Sequence, residues 1–130
     1  MTEGYSGNGF DIDLRTGQVS ERAFARVLAS DTYEVKDEQN QAWETGNVFI
    51  EVTQPTSDGG RRFSGINADP PAEVWAFRLD EGSWIVVSYE HLVEAVSDII
   101  DKPGFRGYVW GGDFNKFEGV LVPISRLLHR

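Results

Sequence analysis

Hydrophobic and polar positions along the chain switch several times between a two-residue period and a helical one. Phe10-Asp11-Ile12-Asp13-Leu14 alternates apolar and acidic residues, the pattern of a half-buried strand, and Thr16-Gly17 marks a turn after it. Val19, Ala23, Phe24, Val27 and Leu28 then recur at helical spacing, which predicts a helix from Val19 to Ala29 with one buried apolar stripe. Glu21 falls at the edge of that stripe. Two β-rich runs, 32–38 and 47–54, are linked through Glu44-Thr45-Gly46, and the pattern predicts a hairpin with a long loop. Gln54 to Asn67 is polar and glycine-rich and reads as loop, and Asp69-Pro70-Pro71 forbids a long helix after it. Glu73–Leu79 and Trp84–Val87 read as strands around an Asp80-Glu81-Gly82 turn, with Trp75 and Trp84 expected in the core. Ser88 is placed to cap a helix through Ile100, with Leu92, Val93, Val96, Ile99 and Ile100 facing inward and Pro103-Gly104 ending it. Tyr108-Val109-Trp110 and Val120-Leu121-Val122 read as short strands, Gly111-Gly112-Asp113 as a turn, and Ile124–Leu128 as a short helix. These elements predict an α/β chain of mixed α+β type, a central mixed β-sheet flanked by helices. Residues 1–9 read as a flexible N-terminal tail and 10–130 as a single globular domain.

The charged positions inside the strands change this picture. Tyr33-Glu34-Val35-Lys36-Asp37-Glu38 and Asn47-Val48-Phe49-Ile50-Glu51-Val52 carry acids and a lysine where apolar residues are expected. A charge in a packed strand loses hydration, which a partner or a metal must offset. Phosphodiester hydrolysis near neutral pH draws on a metal ion to polarise the phosphate and lower the pKa of water. Mg²⁺ takes hard oxygen ligands, commonly one or two carboxylates completed by water and phosphate. Glu21, Asp37 and Glu51 are the candidate carboxylates, and Lys36 is the candidate ammonium for developing negative charge. Gly59-Gly60-Arg61-Arg62 and Ser64 are weaker candidates for holding phosphate through guanidinium and hydroxyl donors.

The net charge of −9, from 21 acidic and 12 basic residues, argues against broad non-specific nucleic-acid binding. It is compatible with an acidic site that binds phosphate through a cation, rimmed by Arg61, Arg62, Lys102, Arg106 and Lys116. It is equally compatible with an acidic surface that meets a basic protein partner. The chain has no cysteine, which excludes disulfides, thiolate metal sites and a cysteine nucleophile and fits a reducing, cytoplasmic setting. No secretory signal and no apolar run of membrane-spanning length are visible, so a membrane partner is not expected.

In the order helix acid, strand acid, next-strand acid, Glu21, Asp37 and Glu51 resemble the PD-(D/E)xK nuclease superfamily, the restriction-endonuclease-like fold. The stretches Phe10-Asp11-Ile12-Asp13-Leu14, Glu34-Val35-Lys36-Asp37, Thr45-Gly46-Asn47-Val48-Phe49-Ile50-Glu51 and Ser64-Gly65-Ile66 are similar to small phage-encoded proteins of this type. The resemblance spans roughly residues 10–80 and is one of pattern. It implies a Mg²⁺- or Mn²⁺-dependent deoxyribonuclease, or a degenerate relative, that acts on DNA in a phage or bacterial cell and is able to pair as a homodimer. The chain departs from the family pattern at Thr53, where a lysine is expected two residues after Glu51. Lys36 is the nearest substitute, although strict alternation sets it on the opposite strand face from Asp37. A second arrangement takes Glu34-x-Lys36 as the acid-x-lysine pair with Asp11 or Asp13, at the cost of a worse order of elements.

Simpler readings stand beside these. Glu21 on a helix edge, and Glu34 with Lys36 as an ion pair on a strand, are ordinary surface features. His91 and His129 lack the spacing of a catalytic triad, and Gly111-Gly112-Asp113 lacks the lysine of a phosphate-binding loop.

Overall fold

The structure, a computed structural model, describes the backbone of residues 8–128 and the side chains of residues 18–128. The chain divides into two compact units, residues 1–31 and 32–130. The expected tail at residues 1–9 lies almost wholly outside the described residues.

The first unit contains helix α1, Asn8–Leu28. It includes the segment 10–14 expected as a strand and the Thr16-Gly17 expected as a turn. The acid–apolar alternation is too short to decide between the two periods, and the helix that follows simply extends backward through it. Val19, Phe24 and Leu28, expected as a buried stripe, are 59%, 62% and 65% exposed.

The second unit runs β1 (Tyr33–Asp37), α2 (Gln39–Thr45), β2 (Asn47–Pro55), β3 (Arg61–Phe63), β4 (Val74–Arg78), β5 (Trp84–Ser88), α3 (Tyr89–Ile100), β6 (Val109–Gly111), β7 (Phe117–Pro123) and α4 (Ile124–Leu127). Single 3₁₀ turns lie at Gly65–Asn67 and Asp113–Asn115. Among the described residues the strands form two sheets, one ordered β1-β4-β5 and the other β3-β2-β7-β6. The fold is therefore mixed α and β, but the expected single central sheet is replaced by two.

The predicted hairpin between β1 and β2 does not form. The link folds as α2, closed by Gly46, whose left-handed φ of 72° lets its amide reach the Ala42 carbonyl at 2.9 Å. Glu44-Thr45-Gly46 is thus a helix end rather than a hairpin loop, and each strand finds another neighbour. β1 runs parallel to β4, with Glu34 opposite Trp75 and Lys36 opposite Phe77. β2 runs antiparallel to β7, with Phe49 opposite Leu121 and Glu51 opposite Gly119. The expected loop Gln54–Asn67 contains β3, which returns along β2 and pairs Gln54 with Arg62.

The core lies between the sheets and against α3. Val48, Ile50 and Val52 of β2 meet Trp75, Phe77, Leu92, Ala95, Val120 and Val122, all buried. Burial of such side chains stabilises by roughly 1.5–3 kcal/mol each. The Ser88 hydroxyl caps α3 as expected, accepting from the His91 amide at 3.1 Å. Trp75 is buried, but Trp84 is 47% exposed, because Ile85 and Val87 occupy the inward positions of β5 and alternation turns Trp84 outward. No described helix is long and apolar enough to cross a membrane.

Candidate functional site

Alternation along β2 separates its chemistry from its core packing. Val48, Ile50 and Val52 point inward, which leaves Phe49, Glu51 and Thr53 on the other face. The register with β7 shifts between Glu51 and Thr53, a bulge immediately after the acid. Bulges of this kind re-aim neighbouring side chains. The ring of Phe49 lies so close to Gly111 and Gly119 that a Cβ on either would meet it at 2.6 or 2.5 Å. Two glycines on β6 and β7 are therefore needed to seat this ring beside Glu51.

On this face opens a cavity of about 680 Å³ lined by residues that include Lys36, Asp37, Glu38, Phe49, Glu51, Trp110 and Asp113. Three of the four candidates for metal chemistry, Lys36, Asp37 and Glu51, thus share one cavity although their strands belong to different sheets. Lys36 and Asp37 both reach it despite strict alternation, because Asp37 is the last residue of β1. Lys36 also forms an ion pair with Glu34 at 2.8 Å, on the face of β1 shared with Trp75 and Phe77. Asp37 accepts from the Gln39 side-chain amide at 3.1 Å and from the Gln39 backbone amide at 3.2 Å. These bonds hold its carboxyl below the usual carboxylate range.

Glu21 is exposed on α1 in the other unit. Among the described residues, no three or more His, Cys, Asp or Glu side chains gather closely enough to hold a metal ion between them. Sequence reasoning overlooked Glu38. It is 8% exposed, and burial pushes its carboxyl up to about 7, while a hydrogen bond from the Phe49 amide and the charge of Lys36 act in the opposite direction. Its placement beside Asp37 in a charged run concealed that it turns inward. Next to Asp113, Phe114 and Asn115 adopt left-handed φ values of 59° and 53°, conformations that cost non-glycine residues of order 1–3 kcal/mol each.

A second cavity, of about 550 Å³, is lined by residues that include Glu34, Glu51, Arg62, Ser64 and Trp75. Glu51 lines both cavities. Ser64 and Trp75 are buried, and neither Ser64 Oγ nor Trp75 Nε1 has a hydrogen-bond partner among the described residues. The two arginines proposed for phosphate take different places. Arg61 donates to Thr53 Oγ1 at 2.9 Å and to the Lys116 carbonyl at 2.9 Å. It also pairs with Glu118 at 3.0 Å and stacks 4.8 Å from the Trp110 ring. Its guanidinium is thereby occupied in tying β3 to β2, β7 and β6, whereas Arg62 and Ser64 line the second cavity.

No family model, no curated protein and no solved structure matches the chain.

Proposed function

We propose that the chain is a metal-dependent nuclease of restriction-endonuclease-like kind that hydrolyses phosphodiester bonds in DNA. One observation carries this reading: Asp37 and Glu51, two of the three acids singled out by their order along the chain, line a single cavity together with Lys36, the nearest candidate lysine. The donor set suits a hard cation shared with the substrate better than one caged by protein. Two carboxylates are the usual protein share of a Mg²⁺ site, with water and phosphate oxygens completing it. Asp37 and Glu51 would hold Mg²⁺ or Mn²⁺, which when bound supplies a polarised phosphate and a water of lowered pKa. The Gln39 hydrogen bonds keep Asp37 ionised for that task. Lys36, steadied by Glu34, brings an ammonium into the cavity to stabilise charge on phosphate oxygens. Trp110 offers an aromatic face for an unpaired base.

The test is hydrolysis of single-stranded, duplex and branched DNA with Mn²⁺, comparing wild type with Asp37→Ala and Glu51→Ala. Each substitution should slow cleavage by about 10²-fold or more. Activity that survives both would sink the assignment. The net charge of −9, together with the absence of a three-acid cluster among the described residues, favours a second reading: an acidic module that binds a basic protein. One stable basic partner in a pulldown, with no heat of Mn²⁺ binding in calorimetry, would select it.

A further inference from the structure

Apolar rings normally leave water when a chain folds, yet β6 and its connection to β7 hold theirs outward. Phe114 is 89% exposed and Trp110 57%. Phe114 and Asn115 adopt consecutive left-handed backbone conformations, φ 59° and 53°, and the phenyl ring gains no burial to offset that strain. Strain of this kind clusters at ligand clamps. One exposed ring needs no explanation, but these two are set beside cations. Arg61 lies 4.8 Å from the centre of the Trp110 ring, and Lys116 Nζ lies 5.9 Å from the centre of the Phe114 ring.

A third cavity, of about 380 Å³, opens here, lined by Pro55, Arg61, Trp110, Asn115 and Lys116. Trp110 and Asn115 also line the first cavity, so the two hollows adjoin at these residues. The charge of the third cavity is positive. Glu118 balances Arg61 at 3.0 Å, whereas no carboxylate among the described residues pairs with Lys116. Asp113 lines the first cavity and not the third. One uncompensated ammonium therefore stands between two exposed rings. An anionic chain with unpaired bases answers both features, because its bases stack on aromatic rings whatever their sequence and its phosphates meet the ammonium. An acidic peptide would answer Lys116 and leave the rings bare. Duplex DNA keeps its base faces inside its own stack.

We propose that this surface is a stacking platform for single-stranded DNA, with bases on Trp110 and Phe114 and a phosphate at Lys116 between them. The choice of DNA rests on the nuclease reading, whose substrate class the platform narrows: an unpaired strand held there continues across Trp110 and Asn115 into the first cavity. Stacking supplies most of the affinity, which reconciles the platform with a chain of net charge −9.

The test is the fluorescence anisotropy of labelled oligo(dT) titrated with the full-length chain in EDTA, which reads binding without cleavage. The expected Kd is about 10–100 µM at about 50 mM salt, and the matching duplex should bind about tenfold more weakly. With one free ammonium at the platform, log Kd should rise with log salt at a slope of about 1. Phe114→Ala and Trp110→Ala should each weaken binding about tenfold, and Trp110→Phe less. Phe114→Gly separates binding from folding. Glycine accepts a φ of 59° without strain, so this variant should melt as high as wild type and still bind about tenfold more weakly. No binding of oligo(dT), duplex bound as tightly as the single strand, tighter binding of oligo(U), a salt slope of about 3 or more, or full binding by Phe114→Gly would each overturn the proposal. Binding without cleavage once Mn²⁺ is added would keep the platform and sink the nuclease reading, whereas cleavage with no preference for single strands would do the reverse.

Discussion

The two cavities that meet at Glu51 differ in how their polar groups are treated. The first gathers charges that are already answered or hydrated: Lys36 is paired with Glu34, Asp37 accepts from Gln39, and Glu38 accepts from the Phe49 amide. The second contains neutral polar groups, Ser64 Oγ and Trp75 Nε1, that are buried and find no partner among the described residues. A carboxylate that stays exposed, as Asp37 does, suits an exchangeable cation and a transient phosphate. Charge, more than burial, distinguishes the two sites, since Glu38 in the first is nearly as buried as Ser64 in the second.

Several measurements would break or sharpen this contrast. The largest effect belongs to the residue both cavities share. Glu51→Gln should slow Mn²⁺-dependent cleavage by about 10²-fold or more. Cleavage that is unchanged in this variant would remove Glu51 from the chemistry of the first cavity. Next comes the backbone packed against Glu51. Gly65 has φ +57°, and an added Cβ would meet the Glu51 carbonyl at 2.2 Å, so Gly65→Ala should destabilise by about 3 kcal/mol in urea melts. A variant as stable as wild type would show that this contact yields easily.

The pH dependence of stability probes the first cavity alone. Glu38 is raised from 4.5 to about 7. Between those values the folded protein keeps a proton that the unfolded chain has released, so stability falls as pH rises from about 4.5 through about 7. The full change is on the order of 3 kcal/mol, and Glu38→Gln should flatten it. Asp37, Asp58 and Asp80 are lowered from 3.8, so the stability they contribute is present above that value and is lost as pH falls below it. They leave the higher window to Glu38. Wild type with no slope between pH 4.5 and 7.5, measured without added metal, would contradict its burial. The smallest effect is at Ser64. Removing an unanswered hydroxyl should leave the melting temperature unchanged or slightly raised in Ser64→Ala, by less than about 1 kcal/mol. A clear destabilisation would mean that the hydroxyl already has a partner.

The sequence revealed the first cavity more readily than the second. Asp37 and Glu51 stood out because acids interrupt runs that otherwise read as strands, and the structure brings both to one cavity. Most strands and the Ser88-capped helix were legible for the same reason, since their periods are long and their stops strong. The pairing of strands was not legible. Gly46 signals a left-handed residue, but a hairpin turn and a helix end require the same φ, and only the packing of Ala42 decides between them. Segment 10–14 failed because five residues of alternation also fit a helix. Ser64 and Trp75 carry no signal of their own. Whether a hydroxyl or an indole lacks a partner depends on contacts made across the whole fold.

The central claim, that the first cavity performs phosphodiester chemistry, is tested most directly by single-turnover cleavage of labelled duplex DNA in Mn²⁺ with Asp37→Asn beside wild type. This substitution keeps the size of the side chain, removes its charge and turns one of the two oxygens that accept from Gln39 into a donor. The account predicts metal-dependent cleavage by wild type and a rate at least about 10²-fold lower in the variant. Equal rates in the two proteins, or no cleavage by wild type on any DNA form, would contradict it.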